Sequence, residues 1–435
     1  MRMPAQGAGG KTGRLVWLIL AVRLAYTLLL PAFVHFDPQE EYYDDLARNL
    51  VAGHGYVLEP GGPPNFHRPP GYPLLLAGLF AVFGERLPVV FACHLAFDVL
   101  TVLVVFRVAG RLFGGAAART TALLCALYPF SAYYNVTLLT ETLFALLVAL
   151  GLLFLTDAVL GRSRLNFLAA GAVFGAGVLT RFSLFHYVLS LPVAAFLLAL
   201  FRAARRRVFF RHELPGYLMM VLVALAVLAP WTWRNDRAGA GFPVLGTGAG
   251  YNLWLGNHLA SDGRDTDELA GARLQRLEQA VAQTTGPGGD PLAPQYEAAF
   301  ARRALAEMRS HPAATARLMV RKLFRFWGSI FQPANRPLGW ILLPVQAVLV
   351  ALAVRGTVRS LYEGRRVWHV VWLIVYFNLL HAAVVSTYRY CVPVMPYVIL
   401  LAVAGTPVLQ RIPMLSRVLE ATPEPGGTTP RGVEP

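Results

Sequence analysis

FDPQEEYYDDLARNLVAGHGYVLEPGGPPNFHRPPGYP, residues 36–73, is the stretch on which the reading of this chain turns. It opens with five acids in nine positions (Asp37, Glu40, Glu41, Asp44, Asp45), although only 14% of the chain is charged. It closes on Asn65, His67 and Arg68 and the stiff turn Pro69-Pro70-Gly71-Tyr72-Pro73. Composition alone fits a solvated acidic helix start and a proline-rich loop equally well. Its position between two long apolar runs favours more. A first outside loop with clustered carboxylates and a lone cation beside prolines has the chemistry of a site for a phosphorylated, otherwise uncharged substrate.

Working outward, 56% of the 435 residues are hydrophobic and the mean hydropathy is +0.50, too apolar for an ordinary soluble protein. The net charge of +15 is not a nucleic-acid signature. The arginines cluster between apolar runs, as in inside loops held at an anionic membrane face. Cys93, Cys125 and Cys391 all fall within apolar runs, with neither a disulfide framework nor metal-ligand spacing. Lys11 and Arg14 precede the first run, but Arg23 interrupts it and no small-x-small cleavage site follows, so it reads as an uncleaved first helix.

A span needs roughly 20 apolar residues, and ten fit: 15–34, 88–108, 117–134, 138–158, 166–181, 183–201, 214–233, 338–354, 367–385 and 391–409. The short connections on one side then carry Arg107, Arg111 and Arg119; Arg162 and Arg164; the Arg202, Arg205, Arg206, Arg207 and Arg211 group; Arg355, Arg359, Arg365 and Arg366; and Arg411, while the short connections on the other carry almost none. That side is the cytoplasm, and both termini lie there. Residues 71–84 are too few to cross and belong at the outer interface. Residues 311–331 carry Arg317, Arg321 and Arg325 at helical spacing among Leu318, Leu323, Phe324, Phe326 and Trp327, which makes an interfacial amphipathic helix. The outside loops are 35–87 and 234–337. The longer one holds polar helical stretches at 267–284 and 294–310, separated by Gly286-Pro287-Gly288-Gly289. The expected fold class is an all-α polytopic membrane protein. It forms one domain over 1–409, with a polar, proline-rich tail at 410–435 that is cytoplasmic and disordered.

The run Tyr43-x-x-Leu46-Ala47-Arg48-Asn49-Leu50-x-x-Gly53-His54-Gly55-Tyr56, followed by Arg68-Pro69-Pro70-Gly71-Tyr72-Pro73-Leu74, resembles the bacterial glycosyltransferase family 39 proteins. These belong to the GT-C superfamily, with the protein O-mannosyltransferases and the lipid A aminoarabinose transferases. Pro230-Trp231-x-x-Arg234-Asn235, the 250–257 stretch and Tyr388-Arg389-Tyr390-Cys391-Val392-Pro393 resemble the same family. The resemblance implies a GT-C-type fold in a bacterial inner membrane with its active site facing the periplasm or exterior. It implies inverting transfer of a sugar from a polyprenyl-phosphate carrier to a lipid, glycan or protein acceptor. It places Arg68, Arg389 and Arg234 on the donor phosphate and Glu141 in the second outside loop, with Tyr251 in a recognisable motif. Many relatives carry an aspartate four residues before the tyrosine, where this chain has Gln39. The catalytic base then falls to Glu41 or Glu40, nearest the anchor, or to Asp37 through a local shift.

The residues themselves ask for the same chemistry. Ionisable groups in a bilayer are costly and point to function or mutual pairing. Here Glu141, Arg181, His186, Arg234, Asn378, His381 and Arg389 gather at the outer ends of the expected spans. Snorkelling would place such groups at both faces, so an outward polar cavity fits better, with Arg181, His381, His67, Tyr251 and Glu141 as substrate contacts. Sugar transfer needs a base for the acceptor hydroxyl, cations for the departing phosphate and a greasy groove for the prenyl chain. The acidic cluster could bind a divalent metal, but no spacing demands one, and no cofactor is implied. Membrane lipids are expected partners and nucleic acid is not. Two other classes compete: a secondary transporter or lipid-linked-sugar flippase, which commonly shows related halves not evident here, and a non-catalytic scaffold. Finally, Arg23 and Asp98 lie about 12 and 15 Å from the inner face by helical rise, a match in depth that permits an ion pair with His94 one turn away.

Overall fold

Runs of Leu, Val, Ala and Phe between arginine-bearing turns give helices at each of the ten expected positions in the computed structural model. It describes residues 8–30, 41–200, 209–241, 245–259, 261–263, 272–328 and 336–407. Among these there are seventeen α-helices and no strand, only an isolated bridge between Val57 and Pro64. Helix α1 (Ala8–Leu29) leads to α2 (Tyr43–Val51) and α3 (Gly71–Phe83). Then come α4 (Leu87–Phe113), α5 (Gly115–Leu127), the short α6 (Pro129–Tyr133), α7 (Glu141–Gly161), α8 (Arg164–Thr180), α9 (Phe185–Leu200) and α10 (Leu214–Arg237). The long loop contributes α11 (Ala249–Asn257), α12 (Ala272–Thr285), α13 (Glu297–Ser310) and α14 (Pro312–Gly328). Helices α15 (Arg336–Tyr362), α16 (Trp368–Ala383) and α17 (Met395–Gly405) close the bundle.

Five of these segments are long and apolar enough to cross a bilayer on their own: Leu87–Phe113, Glu141–Gly161, Phe182–Leu200, Phe209–Arg237 and Leu343–Tyr362. The protein is a multi-pass, all-α membrane protein. The third expected span is shorter than its apolar run because Pro129 has no amide hydrogen to continue the helix, and Tyr128 turns extended before it. The last is likewise split, by the 3-10 turn Tyr388–Val394 with Pro393 inside it. The 71–84 stretch forms the 13-residue α3, and 311–331 gives the amphipathic α14. Residues 410–435 lie outside the described residues.

Close backbone approach holds the bundle together. A Cβ on Gly171 would overlap the Met220 carbonyl, and one on Gly356 would overlap that of Leu401. Helices α8 and α10, and α15 and α17, therefore meet through small residues, as lipid-embedded helices do when no hydrophobic drive separates them from lipid. One end of the bundle collects the arginine turns. There Arg111 pairs with Asp157 at 3.0 Å, Arg366 with Glu213 at 3.6 Å, and Arg365 donates to the Leu112 carbonyl at 2.8 Å. The other end carries two smaller apolar clusters, around Tyr72, Leu76 and Phe80 and around Trp254 and Phe300. They seat the first and long loops over the helix ends.

Inside the bundle, Arg23 Nε lies 3.3 Å from Asp98 Oδ2, both buried, as their matched depth suggested. Arg23 also donates to the carbonyls of Tyr128 and Cys125 and to Ser131 Oγ, at 2.7 to 2.8 Å. His94 bonds instead to Tyr72 OH at 3.0 Å. This pair ties α1 to α4 and α5.

Candidate active site

Helix α2 starts after Tyr42, which adopts a left-handed turn (φ 57°), and so brings Glu41 back over the bundle. Two of the five first-loop acids are consumed locally. Asp44 and Asp45 each lie 2.6 Å from Arg48, four and three residues on respectively, which also meets Glu85; these are the helical pairs that such spacing makes. Asp37 and Glu40 lie outside the described residues. Asn49 then holds the Val57 and Leu58 carbonyls, and Tyr56 OH donates to the carbonyls of Arg68 and Pro69. The prolines fix the backbone that follows, so Arg68 has little freedom.

Arg68 Nη1 donates to Glu41 Oε2 at 2.7 Å while its guanidinium lies over the Tyr43 ring. The other Glu41 oxygen accepts from Arg389 Nη1, and Arg389 Nε donates to Glu141. Arg181 completes the chain, donating to Glu141 at 2.9 Å and lying over the Tyr390 ring. Glu141 is buried at the N-terminus of α7, where the helix dipole favours a carboxylate. Among the described residues two carboxylates thus face three guanidinium groups, leaving one net positive charge. Burial alone would push the Glu41 carboxyl up; Arg389 and Arg68 overcome it and hold the group well below the usual carboxylate range. In the empty site Glu41 is therefore ionised and paired with its arginines. Burial, with Glu41 beside it, pushes the Tyr43 phenol up to about 12, so it stays protonated.

This cluster forms one wall of a cavity of about 1150 Å³ between the loops and the ends of α9, α10 and α16. Glu41, His67, Arg68, Arg181, His186, His381 and Arg389 all line it, each of them singled out in the sequence. His381 hydrogen-bonds the Val385 carbonyl through Nδ1 and stacks on Tyr390. The lining also includes the apolar side chains of Phe182, Phe185, Leu225, Leu228 and Ala229.

Three expected contacts lie elsewhere. Glu141 sits behind the wall and reaches it only through its two arginines. Arg234 is enclosed by the rings of Tyr56, Phe66 and Trp231 and donates to the carbonyls of Asn65 and Tyr56. It braces the first loop and does not line the cavity. Tyr251 packs edge-on against Phe300 in the long loop's own core. Two lining residues had no signal in the sequence. Thr247 pairs by backbone with Phe66, and Glu297 accepts from the amides of Gly248 and Gly250. Among the described residues no group of three or more His, Cys, Asp or Glu is placed to hold a metal.

Residues 67–233 match the family model of dolichyl-phosphate-mannose-protein mannosyltransferases. The match begins at His67 and takes in Arg68, Glu141 and Arg181. Two solved structures of ArnT from Cupriavidus metallidurans are similar. The one bound to undecaprenyl phosphate is 15% identical, with a TM-score of 0.43, over 90% of this chain and 77% of that one. The apo structure is 16% identical, with a TM-score of 0.40, over 91% and 77%. No curated protein sequence gives a significant match.

Proposed function

We propose that this protein moves a sugar from a polyprenyl-phosphate carrier to an acceptor at the outer face of a bacterial inner membrane, with inversion at the anomeric carbon. The observation that carries the reading is one cavity lined both by an arginine cluster of net positive charge and by apolar side chains. A phosphate needs the first and a prenyl chain the second. The match to a family named for dolichyl-phosphate-mannose supports the same donor class. The outward orientation rests on the arginine-rich turns at the far end of the bundle, which by the positive-inside rule are cytoplasmic.

In this reading Arg68 and Arg389 hold the donor phosphate, and Arg181 backs them through Glu141. Before the donor arrives, Glu41 serves as their counter-ion. The phosphate takes its place, and the arginines gain most as charge develops on the leaving oxygen. Arg234 and Glu141 act by positioning. Binding of farnesyl phosphate to purified protein tests the seat. Arg68→Ala should weaken it by about 2–3 kcal/mol, the range of a charge-assisted hydrogen bond, and Arg68→Lys should restore it only partly. Unchanged affinity in Arg68→Ala would remove the arginine from the donor site. Comparing envelope glycans and glycolipids by mass spectrometry, with and without the gene, identifies what is transferred.

A further inference from the structure

Attack by an acceptor hydroxyl requires a proton acceptor within reach, and among the described residues the carboxylates on and behind the wall of the empty cavity are engaged. Glu41 carries an arginine on each oxygen, Glu141 takes two on Oε1 and keeps Oε2 buried behind the wall, and Glu297 spends both oxygens on backbone amides. His67 is placed differently. Thr247 N donates to the Phe66 carbonyl at 3.0 Å, and His67 Nδ1 lies 3.1 Å from the Thr247 carbonyl. A carbonyl only accepts, so Nδ1 carries the proton and Nε2 presents its lone pair. Gly248 makes this seat available: it sits at φ +96°, and a Cβ there would fall 2.7 Å from Nδ1. Nε2 has no hydrogen-bond partner among the described residues, and the ring lines the cavity beside Arg68. Of the other histidines on the wall, His381 has its Nε2 buried out of reach. His186 is exposed, with neither nitrogen fixed by a hydrogen bond among the described residues.

We propose that His67 is the proton acceptor of the transfer, its Nε2 taking the hydroxyl proton as the acceptor oxygen attacks the sugar. This rests on the transferase reading above. The acceptor oxygen forms its bond to the anomeric carbon as the bond from that carbon to the phosphate oxygen breaks. The electron pair leaves with the polyprenyl phosphate, held by Arg68 and Arg389, and the proton moves to Nε2. The resulting imidazolium lies beside the departing phosphate and returns its proton to water. Burial, and then the Arg68 charge, lower the imidazole to about 4 in the empty site, so it is neutral at physiological pH. A phosphate on Arg68 offsets that cation. Donor binding therefore raises the proton affinity of His67 when it is needed.

The test pairs farnesyl phosphate binding to purified protein with the mass-spectrometric yield of product in cells. His67→Gln should lower product by about 100-fold or more, the usual contribution of a general base. Its affinity for farnesyl phosphate should stay within about threefold of wild type. His311→Gln, at an exposed position that does not line the cavity, should keep both. In membranes bearing His67→Ala, added imidazole should restore part of the transfer, which a purely structural histidine would not allow. Full product from His67→Gln, or parallel loss of phosphate affinity, overturns the assignment. Failure of wild-type protein to bind farnesyl phosphate would instead bring down the donor reading, and this inference with it.

Discussion

Glu41→Gln separates two roles that the sequence left joined. In the structure its carboxylate occupies the two arginines that a donor phosphate must contact, so it competes with the donor. Glutamine keeps the shape and removes the charge, taking the cluster from one net positive charge to two. A phosphate about 5 Å from the added charge gains about 3 kcal/mol at an effective dielectric of 20. The cavity is open to water and Arg68 and Arg389 are partly exposed, so roughly half should survive screening. That leaves about 1.5 kcal/mol, or about tenfold tighter binding. Titrating purified protein with farnesyl phosphate at low and high salt measures it, and the gain should shrink as salt rises. Turnover should fall only modestly, through slower release of the product phosphate. Unchanged or weaker binding would refute the counter-ion argument. Collapse of turnover with unchanged binding would make Glu41 the base and remove His67 from that role.

Breaking the buried pair with Arg23→Met or Asp98→Asn should cost about 3–5 kcal/mol, because an uncompensated charge or its unpaired donors remain inside. The double variant should recover much of that loss in thermal unfolding, and equal losses in single and double variants would count against the pair. Lys322, fully buried on α14, donates to the carbonyls of Gly256 and Val384 and to Asn257, and burial followed by Arg325 lowers it to about 7. Between about pH 7 and 10.5 the unfolded chain binds a proton that the folded one does not, so stability should rise with pH, at up to about 1.4 kcal/mol per unit. Melting temperatures at pH 7 and 9 should show this rise in wild type and lose it in Lys322→Met. A cysteine placed at Gly288 should react with an impermeant label in intact cells, and labelling only after permeabilisation would invert the topology.

Much of this site could be read from the chain, for reasons that differ by residue. Arg68 sits in a turn whose prolines leave the backbone few choices, so the local sequence carries the geometry. Arg181 and Arg389 were exposed by their place at the ends of apolar runs, where a charge needs a reason. The Arg23–Asp98 pair followed from depth alone. Arg234 is harder to read, because a guanidinium bracing a loop and one holding a phosphate have the same sequence signature. Only the rings of Tyr56, Phe66 and Trp231 around it, brought from two separate segments, distinguish them. Asp44 and Asp45 could have been assigned to Arg48 from their three- and four-residue spacing, which the count of acids obscured.

The least legible feature is the one on which the chemistry turns. His67 gains its fixed tautomer from a backbone carbonyl 180 residues away in sequence, and any residue type at that position would offer the same oxygen. The glycine that follows it is the one trace left in the sequence, because position 248 needs both a positive φ and the absence of a Cβ against the ring. A side chain at 248 would push the imidazole off the carbonyl and free it to turn. Its hydrogen-bond acceptor would then no longer point in one direction, while Arg68, one residue on, kept its prolines and its partner. Phosphate binding and proton transfer are in this way supported by different parts of the chain, and each can be lost without the other.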